Sequence, residues 1–220
     1  MKRFGFIRAV VLGLAIVSPC AAQQVVDKMV ATVNAGVKTD LITYSDLMWQ
    51  LALQPGTQLD NPTSPDLNRA LRLLIDQRLI LQEAEKLPTL VPTPTEILGR
   101  RNELVGLFES RQQFEERLRR VGMTAERLDE IIEQRLKMEK YLDFRFRNFV
   151  VISQKEIAVY YNTVYVPGFK QRFPGGIVPT QDQARDEIEK TLVETKIESD
   201  TDAFLDTARQ RAEIVILSPV

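Results

Sequence analysis

One stretch constrains the fold more than any other: ALRLLIDQRLILQEAEKL, residues 70–87. Ala70, Leu71, Leu73, Leu74, Ile75, Leu79, Ile80, Leu81, Ala84 and Leu87 spread over most of a helical circumference, interrupted as far as Leu81 only by Arg72, Asp76, Gln77 and Arg78. A helix that is apolar nearly all round has to be covered on nearly all sides. At roughly 1.5–3 kcal/mol per fully buried large aliphatic, it supplies the largest share of any core this chain builds. Ser64-Pro65 starts it with a capping hydroxyl and a proline in the first turn. The chain is therefore expected to wrap other helices around residues 64–87, which makes this segment structural.

Upstream lies VVDKMVATVNAGVKTDLITYSDL, residues 25–47. It reads as two short strands running into a helix. Val26 to Val33 is rich in β-branched residues. From Val37 to Thr43, Val37, Thr39 and Leu41 fall on one face and Lys38 and Asp40 on the other, the period of a half-buried strand. Asn34-Ala35-Gly36 is the expected turn, with glycine free to adopt a left-handed conformation. A lone hairpin is marginal in water. The β-branched run Ile214 to Leu217 is expected to pair with it, so that the N-terminal hairpin is closed by the C-terminal strand. The fold class is thus mainly α with a small antiparallel β-sheet.

The remaining elements are marked by caps and breakers. Thr43 or Ser45 caps a helix through Leu47, Met48 and Leu51 that Pro55-Gly56 ends. Residues 55–65 form a long polar connection that wraps the surface or stays mobile. Thr93-Pro94-Thr95-Glu96 is a capping box, and Ile97, Leu104, Val105 and Phe108 mark the buried stripe that follows. Ser110 starts a helix carrying Phe114 and Leu118, which Gly122 stops, and Thr124 caps a long helix to about Phe149. Ser153-Gln-Lys-Glu156 is a second capping box, leading into IAVYYNTVY. VPGFKQRFPGGIVP is expected to be a loop. Thr180 restarts a helix, and Ser199 or Asp200 caps a separate last one. Domain boundaries follow: 1–22 a signal peptide, 23–165 a helical unit with its hairpin, 166–179 a Pro/Gly-rich linker, and 180–220 returning to the same domain.

The signal-peptide expectation rests on Lys2, Arg3 and Arg8, the apolar run Ala9 to Val17, and small residues to Ala22. The run is too short to span a bilayer. Cleavage after Ala22 removes the single cysteine, Cys20, whereas a lipoprotein reading acylates it; only then is a membrane a partner. With 29 basic and 30 acidic residues, loss of the three signal cations leaves a mildly acidic chain. That argues against nucleic acid, which needs a basic face. The pair of helices around Arg120-Val-Gly-Met-Thr124 accordingly reads as an αα-hairpin and not as a DNA-binding helix-turn-helix.

Histidine is absent from the sequence, which removes His-based triads, general bases and metal ligands. No dinucleotide, P-loop, nucleophile-elbow or zincin motif is present. Glu115-Glu116 and Arg119-Arg120 have the spacing of surface ion pairs. No catalytic residue, cofactor or metal is expected, and the chain is not expected to be an enzyme.

Taken in order, VVDKMVATVNAGV with YSDL, LIDQRLILQEAEKL, PTPTEI, FEERLRRVGMTAERLDEIIEQRL, VISQKEIAVYY and RAEIVILSP resemble the SurA family of periplasmic chaperones. The resemblance covers most of the chain after residue 22. It implies a helical N-terminal chaperone core completed by a C-terminal helix and strand. SurA-like proteins usually carry parvulin prolyl-isomerase domains between the YY helix and the terminal segment. Here about a dozen residues occupy that place, too few for any domain, so isomerase activity is not carried over. What the resemblance implies is a periplasmic, ATP-independent holdase whose partners are unfolded or extended polypeptides, outer-membrane proteins in the family's case. A structural or assembly subunit dedicated to one envelope partner, and a regulator competing for clients, are the rival readings. Self-association into a homodimer is left open. The candidate client-binding residues are Met48, Trp49, Phe108, Phe144, Phe146, Phe149, Tyr161, Phe169 and Phe173. Exposure of a contiguous patch is what would distinguish binding residues from core.

Overall fold

The computed structural model describes residues 27–36 and 38–220. The expected signal segment with Cys20, the start of the first strand at Val26, and Val37 lie outside the described residues. Strands β1 (Met29–Asn34), β2 (Thr39–Thr43) and β3 (Glu213–Ile216) form an antiparallel sheet with β1 in the centre. Val33 pairs with Asp40 on one side and with Ile214 on the other. The expected closure by the terminal run is therefore present. It continues past the ladder, since the Leu217 N–H donates to the Val30 carbonyl at 2.8 Å and Asn68 Nδ2 donates to the Val220 carbonyl at 2.9 Å.

Two expectations about the hairpin are corrected. The ladder ends at the Asn34–Thr39 pair, so the connection is residues 35–38 and not Asn34-Ala35-Gly36. Gly36 does take a positive φ, +99°, and its N–H donates to Asn34 Oδ1 at 2.8 Å. The phase of β2 is also opposite to the one read from its alternation. Ile42 is fully buried and Leu41 is exposed. A one-residue shift exchanges the two faces of a strand. The inward row here begins with a polar residue, Asp40, which a count of apolar positions assigned to solvent.

Helix α1 (Tyr44–Ala52) begins in a complete capping box of Thr43 and Asp46. Helix α2 (Ser64–Ala84) is capped by Thr63, one residue ahead of the expected Ser64. It presses Ala70, Leu71, Leu74, Leu79 and Ile80 into the main core, which it shares with the inner face of the sheet, α1, and Met138, Tyr141 and Leu205 from later helices. The 55–65 connection is anchored, because Leu59 is buried in that core and Asp60 pairs with Arg120. Helices α3 (Pro94–Gly106), α4 (Arg111–Arg120) and α5 (Ala125–Arg145) enclose a second cluster around Leu104, Phe114, Leu118 and Ile132. The i,i+4 pairs expected between Glu115-Glu116 and Arg119-Arg120 do not form: Glu116 pairs with Arg119 at i,i+3, Glu115 faces Arg111, and Arg120 turns to Asp60. Arg117 donates to the carbonyls of Leu51, Ala52 and Gln54 at 3.0 Å each. It thereby satisfies the open C-terminus of α1.

Beyond α5 the chain builds a helical hairpin. Helix α6 (Gln154–Tyr160) passes through a π-helical turn (Tyr161–Tyr165) directly into α7 (Val166–Arg172). The expected loop and linker from residue 166 are thus helical as far as Arg172. Pro167 sits in the first turn of α7, where a missing N–H costs little. The chain then turns at Gly175 and returns along α8 (Gln181–Arg211), a continuous helix. No break occurs at Ser199–Asp200. The Thr201 hydroxyl donates back to the Ile197 carbonyl at 2.7 Å, satisfying itself inside the helix instead of capping a new one. The first half of α8 packs Ala184 and Ile188 against Ile157 of α6. Its second half returns to the main core, where Arg209 grips Asp76 of α2 through two contacts of 2.8 Å.

Candidate functional site

The end of α5, the second half of α8, α2 and the hairpin turn frame a crevice of about 700 Å³. Its apolar lining comes from Leu79, Phe146, Ala203, Phe204 and Ala208, and its charged lining from Glu83, Arg145, Asp200 and Arg211. The position of Phe146 follows from local sequence. Arg145 ends α5, Phe146 is its C-cap, and Arg147–Phe149 forms a single 3₁₀ turn. That change of helical pitch swings Phe146 toward α8, where its ring meets Phe204 edge-on with centroids 6.2 Å apart. Tyr141, one turn earlier, approaches the same Phe204 at 6.3 Å. Arg145 lays its guanidinium over both phenylalanine rings, 5.5 Å from Phe146 and 5.0 Å from Phe204. Cation–π contacts of this kind hold a charged group against an aromatic face. On either side of Phe146 in sequence, Phe144 is 55% exposed and Phe149 is 79% exposed.

A second aromatic group runs along the helical hairpin. Tyr161, Tyr165, Phe169 and Phe173 are spaced by four residues and form a ladder with centroid separations of 5.8, 6.3 and 5.0 Å. The inner rungs belong to the small core with Ile157 and Ile188, and the Tyr161 hydroxyl donates to the Pro179 carbonyl at 2.8 Å. Desolvation first, and the Glu187 carboxylate second, push the Tyr165 phenol up. The outer end is open. Phe173 is 54% exposed and Ile177, across the turn, is 94% exposed.

The nine residues singled out from the sequence therefore divide into three groups. Of Phe144, Phe146 and Phe149, only Phe146 lines the crevice, while Phe144 and Phe149 are exposed. Tyr161, Phe169 and Phe173 come together in the ladder, although Phe169 is helical and not in a loop. Met48, Trp49 and Phe108 do not form a surface. Phe108 lies in the bend just past the end of α3, where it is buried against Phe114 of α4 at 5.1 Å. Met48 packs on the main core and Trp49 on the second one, with the indole N–H donating to the Val121 carbonyl at 3.1 Å.

Neither Phe204 nor Ala203 is among the residues singled out from the sequence, although both line the crevice. The signal that pointed elsewhere was Ser199-Asp200, and without that assumed break one stripe of a long helix runs through both residues. No protein-family model matches the chain, and no curated protein matches it.

Proposed function

We propose that this chain is an ATP-independent holdase of the periplasm, which keeps unfolded or extended polypeptides, outer-membrane proteins among them, from aggregating. The observation that carries this reading is the crevice, with Phe146 and Phe204 as its floor and alternating charges at its edges. An unfolded barrel strand presents alternating apolar and polar side chains together with unpaired backbone groups. Aromatic faces beside charged rims suit such a chain in more than one register, without bond-making chemistry. The crevice volume, about 700 Å³, lies within the ~300–1,000 Å³ of pockets that enclose a substantial ligand. The ordered resemblance to SurA-type chaperones supports the same reading. The exposed end of the aromatic ladder supplies a second adhesive patch.

The test mixes the chain with a urea-denatured outer-membrane barrel protein, dilutes the urea and follows light scattering. Suppression at a few-fold molar excess is expected. Ala203 lines the crevice and is itself exposed, so Ala203→Trp fills the space without disturbing the core. That variant should melt like the parent and suppress aggregation several-fold less. Absence of suppression by the parent overturns the holdase reading in favour of an adaptor for one dedicated partner. An Ala203→Trp variant that suppresses fully moves the client surface away from the crevice.

A further inference from the structure

We propose that Arg78, Arg127 and Arg135 hold a small monatomic anion, chloride under ordinary salt conditions, at the junction of α1, α2 and α5. The side chains of these three arginines line a small, partly open space of about 30 Å³ together with Asp46, Trp49 and Gln50. Asp46 is the one carboxylate among the residues lining it. Asp46 Oδ1 accepts from Arg127 Nη2 at 3.1 Å and lies 4.0 Å from Arg78 Nη2. Its Oδ2 is already engaged by the Thr43 backbone N–H and hydroxyl. Gln50 Oε1 accepts from Arg135 at 2.9 Å, and Gln134 Oε1 accepts from Arg78 at 3.3 Å. Outside the cavity, Glu130 pairs with Arg127, and Glu139 acts on Arg135 while also binding Arg100.

Three observations converge. Positive charge exceeds negative charge around this space. The Nε of each arginine is buried without an acceptor among the described residues. Burial also holds the Arg135 pKa below that of an ordinary arginine. Buried cations require a counter-charge and buried donors require acceptors. A monatomic anion carries the missing charge and accepts from the guanidinium N–H groups that reach the space, relieving the local shortage of acceptors. The space, about 30 Å³, exceeds the ~10–15 Å³ that one water-sized occupant needs and so admits chloride or bromide. Such an anion pins α1 to α2 and α5, the three helices that support the hairpin and the second core.

Trp49 makes the site readable. It is the single tryptophan of the chain, and the Arg127 guanidinium lies 4.7 Å above its ring. The experiment replaces sodium gluconate by sodium chloride at constant ionic strength and follows the melting temperature; bromide is then used in place of chloride while Trp49 emission is recorded. A saturable rise in melting temperature of roughly 3–8 °C is expected, with saturable quenching by bromide. The Arg135→Gln variant should lose the chloride response while melting no lower than the parent in gluconate, since it removes the uncompensated charge. Should that variant not fold, Arg78→Gln carries the same expectation. Melting and emission that do not distinguish chloride from gluconate, or an anion response retained in full by the arginine variants, overturn the proposal and leave a water molecule in the space.

Discussion

Gln82, in the last turn of α2, accepts the backbone N–H of Ala35 at the hairpin turn through its side-chain oxygen at 2.9 Å. Its amide nitrogen donates in turn to the Val33 carbonyl at 3.1 Å and to Asp40 at 2.7 Å. One buried amide thus fixes the end of β1, the turn and the inward-facing polar residue of β2. Replacing it with an apolar residue of similar size strands all three partners. Gln82→Leu should lose about 2–4 kcal/mol, since each orphaned buried group costs ~1–3 kcal/mol with some relief from solvent. Urea denaturation followed by circular dichroism measures it. A loss below about 1 kcal/mol would mean that the hairpin is held by its apolar contacts alone.

Deleting residues 213–220 should destabilise the whole fold, not fray a tail. The side chains of β3 are mainly exposed, so hydrophobic burial is the smaller part of its contribution. The larger part is backbone pairing to β1, the Leu217 to Val30 bond and the Asn68 grip on Val220. With several hydrogen bonds at ~0.5–1.5 kcal/mol each, the expected loss is a few kcal/mol. β1 also becomes an edge strand and a template for aggregation. A truncated chain that melts with the full-length one would show the closure to be energetically idle.

How much of this was legible in the sequence depends on which signal each element sends. Capping boxes at Thr93, Ser153 and Thr180 announced helix starts, because hydroxyl, spacing and glutamate or glutamine act locally. The closing strand was legible because a β-branched run needs a partner and the hairpin lacked one. The continuity of α8 was not legible, since Ser199-Asp200-Thr201 carries cap chemistry that a long-packed helix overrides. α7 was hidden by the density of proline and glycine around Pro167 and Gly168, although a proline in a first turn is compatible with helix. The crevice depends on where Phe146 and Phe204 meet across 58 residues of sequence, a relation that neither residue's neighbours encode. The arginine cluster was equally opaque. Arg78, Arg127 and Arg135 look like surface charges until α1 lies across them.

Acid should loosen the links between helices within a definable window. The Glu156 carboxyl is held down at about 2 by the Lys196 ammonium first and by the Ser153 hydroxyl and backbone N–H next. Glu96 is held down at about 2 in the same way by Lys140 and Thr93. A carboxylate whose folded pKa lies below its unfolded value, ~4.3, stabilises above that value and loses the contribution as pH falls toward the folded one. The links α6–α8 and α3–α5 are thus fully present at neutral pH and fade between about pH 4.5 and 2. A Glu96→Gln, Glu156→Gln double variant keeps acceptors for both caps and lacks the charge. It should have a lower urea midpoint than the parent at neutral pH, converge with it near pH 2, and differ less from it in high salt. A gap that persists undiminished at low pH would assign the stability to something other than these carboxylates.

The aromatic residues offer the sharpest separation of packing from function. Phe108 is 8% exposed and sits against Phe114, so Phe108→Ala should cost about 3–5 kcal/mol as a core truncation. Phe149 and Phe173 are exposed, one three residues beyond the crevice residue Phe146 in sequence and one at the open end of the ladder. A Phe149→Ser, Phe173→Ser double variant should stay within roughly 0.5 kcal/mol of the parent per substitution. Aggregation suppression should rank in the opposite order. Measured well below its melting point, Phe108→Ala should suppress barrel-protein aggregation as the parent does, mole for mole of folded protein. The double serine variant, with an unchanged melt, should need several-fold more protein for the same suppression. If instead both variants suppress in proportion to their stability alone, the exposed aromatics are incidental surface, and clients are held elsewhere on the molecule.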